Sequence, residues 1–183
     1  MIDPKVYRAI DISLIVLTLP VTLPLVIFAL VASFFDTGSP IFAQWRIGKD
    51  EKAFLLLKVR TVSTEAPDIP THLLPERYVS KFGGALRRSK LDELPQLFNV
   101  IAGSMSLVGP RPCLLTQEEV IEARKEHALY SFAPGITGLA QIRGITMAEP
   151  ERLAKADAEM MKNLSVISYF SILFRTVFPA ARK

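Results

Sequence analysis

The chain has 183 residues, half of them hydrophobic, and its 22 Lys and Arg against 18 Asp and Glu leave a net charge of +4. That length suits one domain with a real core, and a pI of about 9.3 favours acidic partners: phospholipid head groups, nucleotides or nucleic acid. A lone cysteine, Cys113, excludes an internal disulfide and fits a small buried residue in a reducing compartment, while His72 and His127, with no Cys or His near them, argue against zinc.

Mean hydropathy is +0.30, high for a soluble protein, and much of the excess lies in the first 36 residues. Lys5 and Arg8 precede an apolar run from Ala9 to Phe35 whose only charge is Asp11. At about 1.5 Å per residue the run is long enough for a bilayer core of roughly 30 Å. It is too long for a signal peptide, and no clean cleavage site follows it. Pro20 and Pro24 sit near its middle and favour a kink. Cations flank both ends, with Arg46, Lys49 and Lys52 on the far side, so the positive-inside rule places both ends in the cytoplasm. A helix broken at its centre, entering and leaving by one face, satisfies both facts; a kinked helix that crosses once is the alternative.

Thr37-Gly38-Ser39-Pro40 has turn chemistry, and Phe42 and Trp45 suit the head-group level. Ala53–Val62 reads as a short buried strand carrying Lys58 and Arg60, a pair that is costly there unless an anion sits nearby. Residues 63–77 hold three prolines without a period and read as an exposed connection.

Lys81–Pro112 packs Lys81, Arg87, Arg88 and Lys90 beside the adjacent carboxylates Asp92 and Glu93. Cations converging on a carboxylate pair suit the binding of negative oxygens and attack on phosphorus; a charged helix start gives the same composition. Phe82-Gly83-Gly84 suggests a turn, then Ala85–Arg88 a short helix. Either Ser89 caps a helix with Asp92 at its third position, or Pro95 opens a helix that runs to Ile101. Both put Asp92 and Glu93 at a helix N-terminus, where the positive end lowers a carboxylate pKa and welcomes phosphate. In Pro110-Arg111-Pro112, two prolines lock the backbone around an arginine that must point in a fixed direction.

Thr116–Leu129 reads as an amphipathic helix with a solvated face. Pro134–Gly144 is glycine-rich, and Thr137, Gln141 and Arg143 within it suit a diphosphate or base, although no Walker or dinucleotide fingerprint is present. A second amphipathic helix covers Pro150 to about Leu164. The apolar, aromatic tail with Arg175, Arg182 and Lys183 suits a helix lying in the membrane interface, or one docked on the core.

Three long segments in this order carry a resemblance: LDELPQLFNV (Leu91–Val100), MSLVGPRP (Met105–Pro112) and PGITGLAQ (Pro134–Gln141). With Ile10-Asp11, Gln44-x-Arg46-x-Gly48, Lys58-x-Arg60-Thr61 and Lys81-Phe82-Gly83, the chain resembles the small monotopic phosphoglycosyl transferases of the bacterial sugar transferase family. The resemblance implies an α/β, mostly helical fold: a re-entrant membrane helix over residues 1–36 and a small cytosolic catalytic domain over 37–183. An interfacial helix over about 165–180 belongs to the same functional unit.

It implies transfer of a phosphosugar from a UDP-sugar to polyprenyl phosphate, the undecaprenyl form in bacteria, with release of UMP through a covalent aspartyl intermediate. This is the first membrane step of surface glycan assembly, placed at the cytoplasmic face of the bacterial inner membrane. Asp92 maps onto the nucleophile and Glu93 onto its acid-base or metal-orienting partner, with Mg²⁺ at both. Lys58, Arg60, Arg87 and Arg111 map onto phosphate or nucleotide contacts, and Gly135, Thr137, Gln141 and Arg143 onto the segment beside the nucleotide. Partners are the UDP-sugar, the lipid phosphate and an anionic bilayer, with glycosyltransferase partners or a homodimer also compatible.

The chain departs from the family pattern in three places. A frequent Ser-Pro kink pair is Leu23-Pro24 here, with Pro20 or Thr22 as substitutes; Ser104 stands where many members carry an acid; and Arg143 lies two positions early. Two other classes compete, a catalytically silent membrane scaffold and a basic nucleic-acid binder. Intact Asp92, Glu93 and Arg111 argue against the first, and the absence of a basic stripe interleaved with aromatics argues against the second.

Overall fold

The computed structural model describes residues 3–66, 75 and 78–178, with only the backbone of Lys81. Most of the proline-rich connection, and Arg182 and Lys183 of the tail, lie outside the described residues.

The first element, α1 (Pro4–Thr37), is helical for 34 residues with Pro20 and Pro24 inside it. Its most apolar 18-residue window has a mean hydropathy of 2.7 and is only 17% buried, so length and composition suffice to cross a membrane. Val16, Leu17, Val21, Ile27, Phe28 and Phe35 are all more than half exposed, a display that water penalises and lipid does not. Each internal proline lacks an N–H. The hydroxyls of Thr18 and Thr22 donate to the carbonyls of Leu14 (2.8 Å) and Thr18 (3.1 Å), contacts that bend helices.

Strands β1 (Ile41–Ile47) and β2 (Ala53–Val59) form a two-stranded hairpin. The expected strand is therefore present from Ala53 but ends at Val59, with an isolated bridge at Val62↔Val79 beyond it. Helices α2 (Lys81–Ser89) and α3 (Gln96–Ile101) follow, then strand β3 (Ser106–Val108). Helix α4 (Glu118–Glu126) precedes β4 (Gly135–Thr137), which pairs parallel to β3 with Ser106 opposite Gly135 and Val108 opposite Thr137. Short α5 (Leu139–Ile142), α6 (Pro150–Lys162) and α7 (Val166–Val177) complete a mostly helical α/β chain.

Two compact units divide these elements: Met1–Ser13 with Trp45–Phe54 and Val100–Lys183, and Leu14–Gln44 with Leu55–Asn99. In the first, Ile47, Cys113, Val120, Ala140, Leu153 and Ala156 form the core. Cys113 is fully buried, as a small residue there should be, with its sulfur 3.5 Å from the Tyr130 hydroxyl. Asp11 is 2% exposed and accepts bonds from the backbone of Leu107 (3.0 Å), the hydroxyl of Ser106 (2.9 Å) and the hydroxyl of Tyr169. Arg8 donates to the carbonyls of Val100 and Ile101, the last of α3, where a cation complements the helix dipole. Helix α7 packs on β3 and β4 through buried Tyr169 and Ile172 and leaves Ile167, Phe174 and Val177 exposed. In the second unit, Ala29, Val59 and Leu86 are buried together with Leu30, Phe82 and Leu91 against them.

Candidate active site

The segment around the two carboxylates departs from the first of the two sequence readings and nearly matches the second. The helix begins at Lys81, so Phe82-Gly83-Gly84 is helix and not turn; Ser80 caps it by accepting from the Gly83 N–H at 2.8 Å. Gly83 is required there because an added Cβ would collide with the carbonyl of Thr61. Ser89 is the last residue of α2, not a cap. Lys90 ends the helix in the left-handed region at φ 57°, a conformation that lysine adopts at a cost. Leu91–Glu93 then form one 3-10 turn, and α3 starts just past Pro95, close to the second of the two readings.

This sharp reversal buries Asp92 to 7% exposure. The expectation that a helix N-terminus lowers its pKa is overturned. Burial pushes the carboxyl above its ordinary 3.8, against the opposing pull of Lys58 and then Arg87, while the like charge of Glu93 adds to the rise. Lys58 Nζ lies 3.0 Å from Glu93 Oε1, both side chains under a fifth exposed, so the cost of the Lys58 cation on β2 is offset by this carboxylate. Arg87 donates from Nε to Thr61 Oγ1 at 2.8 Å; its own pKa is lowered by burial and raised again by Asp92. Lys58, Arg87, Asp92 and Glu93 are thus brought together: a buried carboxylate, a second one held by an ammonium, and a guanidinium.

Arg60 takes another place. Its Nε and Nη2 donate to the carbonyls of Ser39 (3.1 Å) and Ile41 (3.3 Å), its guanidinium covers the Phe42 ring at 5.4 Å, and its own carbonyl accepts from Ser33 (2.7 Å). It clamps the chain leaving α1. Asn99, which sequence reasoning passed over, closes the edge of β2: its side chain accepts from Leu57 N–H (3.0 Å) and donates to the Leu55 carbonyl (2.8 Å), bracketing the approach to Lys58. Its place at the end of LDELPQLFN was the available signal.

The other unit holds the second set. The turn after β3 and the start of β4 interlock with no room for side chains: a Cβ on Gly135 would strike the Gly109 backbone, and one on Gly138 the Gly109 carbonyl. Gly109 N–H donates to Thr137 O and Gly135 N–H to Pro110 O, each at 2.9 Å. MSLVGPRP and PGITGLAQ are therefore one structure that fixes Arg111, Gly135, Thr137 and Gln141 relative to one another. The Thr137 hydroxyl lies 2.7 Å from that of Thr176 on α7, and Gln141 Oε1 is buried without a hydrogen-bond partner. Arg143 goes elsewhere, bidentate to Glu159 of α6 at 2.5 and 2.7 Å.

Helix α4 is also more than a solvated face. Arg124 on it is 2% exposed and pairs with fully buried Asp157 of α6 at 2.7 Å, while its Nη1 donates to the Arg111 carbonyl at 2.6 Å. Among the described residues no group of three or more His, Cys, Asp or Glu converges as a self-contained metal site.

The family model described as bacterial sugar transferase matches residues 3–183. The chain is 36% identical to an exopolysaccharide production protein (PSS) of Rhizobium leguminosarum, covering 93% of this chain and 90% of that protein. It is 34% identical to a UDP-glucose:undecaprenyl-phosphate glucose-1-phosphate transferase of Caulobacter vibrioides, over 93% of this chain and 67% of the relative. It is 33% identical to an uncharacterized sugar transferase of Haemophilus influenzae, again over 93% of this chain but only 40% of that longer protein. The chain belongs to the bacterial sugar transferase family.

Proposed function

We propose that the chain transfers a phosphosugar from a UDP-sugar to polyprenyl phosphate and releases UMP, in the assembly of a surface glycan. The observation that carries the reading is Asp92, buried in a family whose named relatives perform this class of transfer, with Lys58 and Arg87 acting on its charge. A buried carboxylate is poorly solvated, which makes it a stronger nucleophile once it is ionised.

In the first half-reaction an Asp92 oxygen attacks the sugar-bearing phosphorus. The bond from that phosphorus to the bridging oxygen breaks, and the electron pair leaves with UMP. An oxygen of polyprenyl phosphate then attacks the same phosphorus and the Asp92–phosphorus bond breaks, restoring the carboxylate. Glu93, oriented by Lys58, would move a proton or help to hold a metal, and Arg87 would neutralise phosphate oxygens; Arg111, in the other unit, is read separately as a phosphate or nucleotide contact. Arg60 and Arg143 serve the substrate only by leaving their present partners.

Two adjacent carboxylates fit Mg²⁺, which takes one or two of them and fills its remaining positions with phosphate oxygens and water. Asp92 and Glu93 would hold it, and bound there it would offset the diphosphate charge that repels an anionic nucleophile.

For placement, we read α1 as entering and leaving by the cytoplasmic face of the inner membrane, bent at Pro20 and Pro24, and α7 as lying in the interface through Ile167, Phe174 and Val177. Thr22→Cys and a cysteine placed before Lys5 test this by labelling from each side; periplasmic labelling of the N-terminus overturns it.

The reaction is tested with the full chain in detergent, Mg²⁺, polyprenyl phosphate and a panel of UDP-sugars. At least one sugar should release UMP, and Asp92→Asn should abolish both release and covalent labelling by the sugar phosphate. Full activity in that variant sinks the mechanism, and silence across the panel favours a scaffold.

A further inference from the structure

We propose that Arg124 is the positioning residue for Arg111, acting through the backbone of the Pro110-Arg111-Pro112 turn and held to that task by Asp157. The inference rests on reading Arg111 as a phosphate contact.

Prolines 110 and 112 strip the turn of two backbone donors, so its carbonyls are what the fold can grip. Both are gripped. Gly135 N–H holds the Pro110 carbonyl at 2.9 Å, and Arg124 Nη1 holds the Arg111 carbonyl at 2.6 Å. The guanidinium is planar, so fixing its Nη2 on Asp157 Oδ2 at 2.7 Å also aims Nη1. With Arg124 2% and Asp157 0% exposed, water does not compete for either contact.

Stability alone explains this arrangement poorly. A buried ion pair contributes little beyond what well-packed apolar side chains of the same volume would give. Here Arg124 Nε and Asp157 Oδ1 are also buried without hydrogen-bond partners, a further cost. Burial in fact pushes the Asp157 carboxyl above its ordinary pKa even beside Arg124. What the pair supplies is direction. It ties α4 and α6 to the one carbonyl that sets where the Arg111 side chain leaves the backbone.

The test separates direction from stability by replacing the pair with apolar residues, Arg124→Met with Asp157→Met, in the full chain in detergent. UDP is the probe, since it carries the diphosphate without committing to a sugar. The double variant should melt with the wild type yet bind UDP about tenfold more weakly, the scale of one misplaced charge-assisted contact. In an Arg111→Ala background the same pair of changes should cause no further loss. Should the double variant melt early, Arg124→Lys serves instead: its ammonium keeps a charge for Asp157 but lacks the fork that reaches the carbonyl.

Unchanged UDP affinity in a variant of wild-type melting temperature overturns the proposal, as does an undiminished effect without Arg111. If neither variant reaches the wild-type melting temperature, the pair is a stability element and the proposal falls. A wild-type chain that does not bind UDP removes the nucleotide reading, and this inference goes with it.

Discussion

The Lys58 ammonium, 3.0 Å from Glu93 Oε1, is also the strongest of the charges that lower the neighbouring Asp92 carboxyl. One lysine thus holds one carboxylate by contact and opposes the burial-driven rise in the other's pKa from a distance. Without it, burial and the Glu93 charge act on Asp92 with only Arg87 and a backbone hydrogen bond opposing. Lys58→Met should therefore move the acidic limb of the pH profile of kcat/KM to higher pH. It should also lower kcat/KM at neutral pH roughly tenfold or more, the scale of removing one opposite charge beside a carboxylate. A limb that stays in place shows that Lys58 serves Glu93 alone.

Asp92 should also be a stability liability. Its folded pKa lies above the ordinary 3.8, so the folded chain binds the proton more tightly than the unfolded chain. Below 3.8 the carboxyl is neutral in both states and costs nothing. As pH rises from there through the folded pKa, the native state loses stability, and above it the loss is complete. Asp92→Asn should therefore melt above the wild type at pH 7, with the gap closing as pH falls toward 3.8. Thermal melts of both proteins across that range decide it; a gap that widens in acid contradicts the assigned direction.

The sequence carried the motifs and the long elements, but not the uses of the charges. The apolar period of α1 and the runs of α6 and α7 are strong local signals, and the segments containing Asp92, Arg111 and Thr137 were recognisable as text. What local reasoning missed depended on long-range contacts. Gly83-Gly84 looks like a turn until the Thr61 carbonyl is seen against Gly83, a contact that only a tightly packed helix explains. Ser89 looks like a cap because nothing local announces that Lys90 will turn left-handed. The intramolecular partners of Arg60 and Arg143, the carbonyls of Ser39 and Ile41 and the Glu159 carboxylate, were not legible because they are distant in sequence. Arg124 sits in a run of charges whose other members are exposed, and only Asp157, 33 residues away, makes its burial affordable.

The glycine pair in α2 gives opposite expectations at adjacent positions. A Cβ on Gly83 meets the Thr61 backbone, which cannot retreat as a flexible side chain can. Gly83→Ala should destabilise the fold by about 1–3 kcal/mol, the range for overpacking. A Cβ on Gly84 meets only Arg88 Nη1 at 3.5 Å, an ordinary contact. Gly84→Ala should stabilise by about 0.5–1 kcal/mol, because alanine loses less backbone freedom in a helix. Denaturant midpoints of the two variants on either side of the wild type support the packing; equal shifts refute it.

Tyr169 and Asp11 join α7 to the start of α1 through a hydrogen bond out of reach of water. Burial first, and the Asp11 carboxylate second, push the Tyr169 phenol above its ordinary pKa, so its hydroxyl remains a donor at any physiological pH. Asp11 receives two other bonds, from Ser106 and Leu107, so the two ends of this contact should differ in cost. Tyr169→Phe removes one donor of three and should cost about 1–3 kcal/mol. Asp11→Ala strands the Leu107 N–H and two hydroxyls at once and should cost more than any single-donor loss. Both variants, once folded, should keep their response to Mg²⁺ and UDP-sugar, since neither residue is assigned to the reacting groups. Melting curves in detergent check the ranking, and a Tyr169→Phe protein less stable than Asp11→Ala would show that the carboxylate is not the hub of this contact.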